Sequence, residues 1–148
     1  MKKLLFSAVL LLSIALTSCN KNQAVVKDLE GEWNMTGLTV NGTAAPASEY
    51  QGTYYTFQVC KVKNEDCSGS LNSGDPTKGT ISFPFTYNIT DDGKKFNLNL
   101  NLLGTISKRA ADVIEQSDSK FVFEYTQTDT DSTGATVTEK VRETLTKR

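Results

Sequence analysis

Three cysteines and no histidine decide what chemistry this 148-residue chain can do. Without imidazole there is no Ser–His or Cys–His dyad, and metal binding loses its commonest ligand. Cys60 and Cys67 lie seven residues apart, without the C-x-x-C spacing that lowers a thiol pKa. Two thiols also fall short of the four ligands of a structural zinc site. The third thiol, Cys19, stands apart. It follows Lys2-Lys3 and an apolar run over 4–16 broken only by Ser7 and Ser13, the shape of a secretory signal and too short for a permanent membrane span. An exported chain meets an oxidising compartment, so a Cys60–Cys67 disulfide is expected, with two quiet free thiols as the alternative. Glu139 and Glu143 lie in phase with Val137, Val141 and Leu145. An inward carboxylate is costly unless paired or solvated. Both are therefore expected at a rim or on an outer face, the alternative being that they meet a polar or cationic ligand group. No phosphate loop, nucleophile elbow or catalytic carboxylate pair is present. The expectation is a non-enzymatic protein with no catalytic residue, no cofactor and no metal.

Composition narrows the partners. The chain carries 16 basic and 17 acidic side chains. Removal of residues 1–18 takes away Lys2 and Lys3 but no acid, leaving 130 residues of net charge −3. That is one domain's worth of chain with enough length for a real core. The balance of charge and the lack of a basic cluster argue against nucleic acid.

The elements that must position these residues read as strands. Residues 20–28 look like a short polar tether. A first strand over 29–40 switches phase across Gly37, which suggests a bulge, and Asn41-Gly42 supplies a tight turn. A second strand over 53–62 puts Tyr55, Phe57 and Val59 on one face. Residues 68–78 read as a loop or a weak edge strand. The best alternation in the chain is Ile81, Phe83, Phe85, Tyr87 and Ile89. Pro84 sits in its middle and must bend it, interrupt it, or place it at an edge. Asp91-Asp92-Gly93 turns into Phe96, Leu98, Leu100 and Leu102, with Asn97, Asn99 and Asn101 between them as a solvated outer face. Residues 109–115 form a weak strand or a single helical turn. Phe121, Phe123 and Tyr125 alternate again, and 135–146 is the last strand. Seven or eight strands in consecutive order make an antiparallel up-and-down meander. Closing it into a β-barrel hides its edges, a two-sheet β-sandwich being the alternative.

Three resemblances add to this reading. Leu16-Thr17-Ser18-Cys19 resembles the bacterial lipobox. It implies cleavage after Ser18, a diacylglycerol thioether on Cys19 and acylation of the new amino terminus, palmitate being the usual chain. The protein would then be a lipid-anchored lipoprotein of the cell envelope, and several acyl chains give stable anchoring. Asn20 is not the Asp that usually retains lipoproteins at the inner membrane, so the outer membrane is expected, at either face. The second resemblance is Leu29-Glu30-Gly31-Glu32-Trp33, which is similar to the L-x-G-x-W opening of lipocalins and of lipocalin-like domains in small Gram-negative lipoproteins. It implies a lipocalin-like barrel over 29–148 following a signal peptide (1–18) and a lipidated tether (19–28). Trp33 would close one end, and the general role would be binding. The expected partner is a small, partly apolar ligand held in the barrel of a monomer by Trp33, Tyr55, Phe57, Phe85, Tyr87, Leu100, Phe123 and Glu139. A side-chain-filled core that leaves only surface interactions is the alternative. Asp131-Ser132-Thr133 resembles a short O-glycosylation sequon of exported bacterial proteins, with Ser132 as acceptor.

Overall fold

Residues 29–33 join a helix to a strand, and both ends of the sheet return to that joint. The computed structural model describes residues 21–61, 65–75, 79–130 and 133–148; Cys19 and Ser132 lie outside them. The segment read as a tether is helix α1 (Lys21–Leu29), which buries Val25, Val26 and Leu29. Nine residues are too few to hold a helix in water unaided. Docking supplies what length does not. Gly93 N donates to Asn22 Oδ1 at 2.8 Å, and Gln23 Nε2 donates to the Cys60 carbonyl at 2.7 Å. Gly93 and Val25 pack so closely that a Cβ on Gly93 would lie 2.9 Å from Val25 Cγ2.

Nine strands follow: β1 (Gly31–Val40), β2 (Thr43–Ala44), β3 (Thr53–Phe57), β4 (Cys67–Asp75), β5 (Gly79–Thr90), β6 (Lys95–Leu102), β7 (Thr105–Gln116), β8 (Lys120–Thr130) and β9 (Thr136–Lys147). All pairs are antiparallel, and apart from β2 each long strand lies beside its predecessor. β9 then pairs back onto β1, from Trp33↔Lys147 to Val40↔Val141. This contact closes eight strands into an up-and-down barrel, with β2 a two-residue flap on the end of β1. The sandwich alternative is thereby excluded. Among the described residues, helix and barrel share one buried core.

Several local expectations hold, and the departures have physical causes. The register of β1 shifts between Met35 and Gly37, the expected bulge. Asn41 (φ 51°) and Gly42 (φ 82°) form the expected turn. Pro84 interrupts only one ladder. It pairs with Ser70 on β4, whereas the pairing with β6 begins one residue later, at Phe85. Of the segment 68–78, read as a loop or weak edge, the residues up to Asp75 belong to strand β4, which is paired on both sides; residues 76–78 lie outside the described residues. The weak element at 109–115 is part of a twelve-residue strand, β7. Its alternation is masked because Ala111 supplies the buried position and a bulge between Val113 and Glu115 breaks the phase. β3 stops at Phe57 rather than 62, and Cys60 lies beyond it, bonded to Cys67 as a disulfide.

The inward residues alternate along every strand and fill the barrel's lower half. Trp33, Tyr55, Phe57, Tyr87, Phe96, Phe121 and Phe123 are fully buried. Their rings meet in chains: Phe57 to Tyr87 at 5.2 Å, Phe96 to Phe123 at 5.0 Å, and Phe96 to Phe121 at 5.4 Å, all edge-on. Such offset pairs contribute roughly 0.5–1.5 kcal/mol each beyond simple burial.

Candidate functional site inside the barrel

The closed end shows why the Leu29-x-Gly31-x-Trp33 pattern takes those residues. Leu29 ends α1 and is buried. Its carbonyl, one of those left over at a helix C-terminus, accepts from Trp33 Nε1 at 2.7 Å. Gly31 has φ +112°, a turn from helix to strand that an L side chain resists. Trp33 then points inward as the plug, with Lys147 Nζ 5.3 Å above its ring. On the outer wall, Asn97 bonds Asn88 and Asn99 bonds Thr86, so the asparagine row is a cross-strand, outward feature.

Charge enters the barrel half-way up. Glu143 is only 3% exposed, inside, opposite Leu38 and Phe123. The rim or outer placement expected for it is therefore wrong. The cost of burial is met by three donors. Tyr55 Oη donates to Oε2 at 2.6 Å, Tyr125 Oη to Oε1 at 2.9 Å, and Arg109 Nη1 to Oε1 at 3.1 Å. The guanidinium also lies 4.8 Å from the centre of the Tyr125 ring. Burial, then the Glu143 charge, pushes the Tyr55 and Tyr125 hydroxyls above their ordinary range, so both stay protonated donors. Every fully buried polar atom of the cluster has a partner.

Of the eight ligand residues expected, seven belong to one connected core: Trp33, Tyr55, Phe57, Phe85, Tyr87, Leu100 and Phe123. Phe85 lies directly on Gly69, where any Cβ would collide with its ring. Glu139 stands nearer the mouth, accepting from Gln127 Nε2 at 3.1 Å. Sequence reasoning missed Arg109 altogether. It lies in phase with Ala111 and, with only β8 between their strands, beside an in-phase acid, and that complementary pair was the available signal. Above the cluster the wall becomes apolar but half-open. Leu38, Leu71 and Phe83 pack on the core from above. Ile81, Leu102 and Val137 reach solvent at the rim. At the tip of the β6–β7 hairpin, Leu103 is 94% exposed with φ +53°. Among the described residues, no group of His, Cys, Asp and Glu could hold a metal ion, and no helix is long and apolar enough to cross a membrane.

A closed eight-stranded meander with a tryptophan plug under a short helix defines the lipocalin class of barrels. The sequence model of the lipocalin-like domain matches residues 29–123, and the chain belongs to that family. No curated relative matches the chain. Among solved structures, the chain is similar to an odorant binding protein at 11% identity and TM-score 0.52, covering 82% of this chain and 73% of that one. It is similar to bovine odorant binding protein in complex with a selenium-containing odorant, at 12% identity and TM-score 0.51, covering 83% and 72%. Lobster apocrustacyanin A1 aligns at 10% identity and TM-score 0.51, covering 87% and 67%. At these identities the likeness is one of fold.

Proposed function

We propose that this protein is a lipid-anchored binding protein of the cell envelope, and not an enzyme. It takes a small, partly apolar molecule in the open half of its barrel. One observation carries the reading: a charged cluster held inside the barrel where the aromatic packing ends. A charge pair in a core adds little stability over well-packed apolar residues, so its retention favours a binding role. Arg109 is the exposed member, its side chain 20% accessible from the mouth. Its free N–H groups offer donors to an acceptor on the ligand, while Leu38, Leu71 and Phe83 offer apolar wall. Bovine odorant binding protein, in complex with a selenium-containing odorant, supports the reading by analogy of fold. Because aromatic side chains fill the closed end, the ligand is small. Anchoring rests on the lipobox at Cys19, and the outer membrane on Asn20.

The test uses residues 21–148 with an apolar fluorophore. One saturable site per chain is expected, weakened at least fivefold by Arg109→Met and by Leu71→Trp. No saturable binding, or binding indifferent to both, sinks the ligand reading. In cells, Cys19→Ala should release the protein from membranes and abolish labelling by a fatty-acid probe.

A second reading, an interaction module working through its surface, is favoured by Leu103. Full exposure and a positive φ both count against a leucine there. A photo-crosslinker at position 103 that gives one defined adduct in cells, absent when it is placed at Asn99, would support it.

A further inference from the structure

The outer wall of the barrel carries a groove of its own. It has a volume of about 710 Å³ and runs between the turn before β3 and the β4–β5 hairpin, lined by Ser48, Gln51, Gly52, Tyr54, Gly74, Thr80 and Arg148. We propose that it binds a short saccharide, a second site separate from the barrel mouth.

Three features lead there. The floor is backbone. Gly74 N donates to the Gly52 carbonyl at 3.2 Å, and a Cβ at Gly52 would run into the Gly74 carbonyl oxygen. Gly52 also has φ +83°, so a side chain is excluded by strain as well as by space. The groove is thus kept open at the depth of the main chain, where a flat ring can lie.

The walls are uncharged and unspent. The side chains of Ser48, Gln51 and Thr80 and the Tyr54 hydroxyl make no hydrogen bond to any described residue. Hydroxyls and an amide both donate and accept, the pairing a polyhydroxylated ligand needs. Among the described side chains that line the groove there is no carboxylate and no cluster of cations, which argues against a metal ion or a polyphosphate, and no apolar stripe suits an acyl chain.

The end wall is a single fixed cation. The Arg148 guanidinium lies 4.1 Å from the Tyr54 ring centre. Its Nε donates to Asn34 Oδ1 at 2.7 Å and its Nη1 to Glu32 Oε2 at 2.7 Å. Nη2 is left for the ligand. Held by two partners and a ring, the guanidinium has little freedom left to lose, so one more oxygen acceptor gains a preorganised donor. A sugar carboxylate or acetamido oxygen meets that need.

The experiment is a titration of residues 21–148, followed by backbone amide NMR. Three probes are used: tri-N-acetylglucosamine, trigalacturonate and maltotriose. Saturable shifts at Gln51, Gly52, Gly74 and Thr80 with the first or the second probe are expected, and weaker ones with maltotriose, which lacks the extra oxygen acceptor. Gln51→Ala with Thr80→Val should weaken the binding at least fivefold. Arg148→Gln should weaken trigalacturonate more than maltotriose if the acidic group is what the cation reads. Ser48→Trp, which fills the groove from an exposed turn, should abolish it. The barrel fluorophore should keep its affinity in all these variants, so that the two sites fail independently. No saturable shift with any probe up to millimolar concentration, or shifts that survive the double variant and Ser48→Trp, overturns the proposal.

Discussion

Glu143 is held by three donors, two of them phenols buried beside it. Glu143→Gln removes the charge that the Arg109 guanidinium faces. Breaking a buried pair from one side costs about 3–5 kcal/mol. Arg109 keeps some access to water, so about 2–3 kcal/mol is expected, read from the urea midpoint at unchanged slope. The phenols make a separate prediction. Burial first, then a nearby carboxylate, raises Tyr55, Tyr87 and Tyr125 above the ordinary tyrosine value of about 10. Their folded forms hold the proton after the unfolded chain has lost it. The stability they contribute is therefore full below about pH 10 and falls as the pH rises above it. Three of the five tyrosines should ionise only as the barrel opens, so much of the tyrosinate absorbance should appear together with loss of the sheet signal. Ionisation of all five well before unfolding would contradict the burial. At Leu103 the prediction is a gain. Left-handed backbone costs an ordinary side chain about 1–2 kcal/mol, and asparagine tolerates it better. Leu103→Asn should raise stability by about 0.5–1 kcal/mol.

At the level of elements, α1 and β1 act as one part. Leu29 seals the helix against the barrel, Gly31 makes the corner, and the indole of Trp33 ties back to the helix. Trp33→Ala should cost about 3–5 kcal/mol, as large aromatic truncations in cores do. A change below 1 kcal/mol, by thermal or urea unfolding, would mean that the plug is ornamental. Trp33 and the apolar faces at 81–89, 96–102 and 121–125 were legible in the sequence because alternation survives wherever large side chains carry it. The helix was not. Its buried face is only Val25, Val26 and Leu29, and what holds it is Gly93, Asn22 and Gln23 bonding across the chain. β7 was half-legible, since one of its inward places is filled by an alanine and another by an arginine. The phase of Glu143 was visible, but its partners lie 18, 34 and 88 residues away. The pairing that makes burial tolerable appears only once the barrel has closed.

As a whole molecule, the sheet leaves every long strand paired on both sides. Exposed strand edges are what drive unplanned association, and here closure removes them. Residues 21–148 should sediment as a monomer at concentrations where open sheets self-associate, and should unfold in a single cooperative transition. A stable dimer that persists on dilution would require an interface through the outer wall or the apolar rim.

For the lipid anchor proposed above, the docked helix has a consequence for posture. Only Asn20 separates Cys19 from Lys21, where α1 begins, and α1 is clamped to the closed end. An acyl anchor on Cys19 would therefore be a pivot rather than a leash. The barrel would stand upright on the bilayer, unable to tumble or to lie down far from where it is rooted. Its mouth, at the far end of strands of up to twelve residues, would open some tens of ångströms above the lipid at about 3.3 Å per residue. Cargo would have to arrive and leave through the aqueous space, handed over from above instead of drawn up from the membrane beneath.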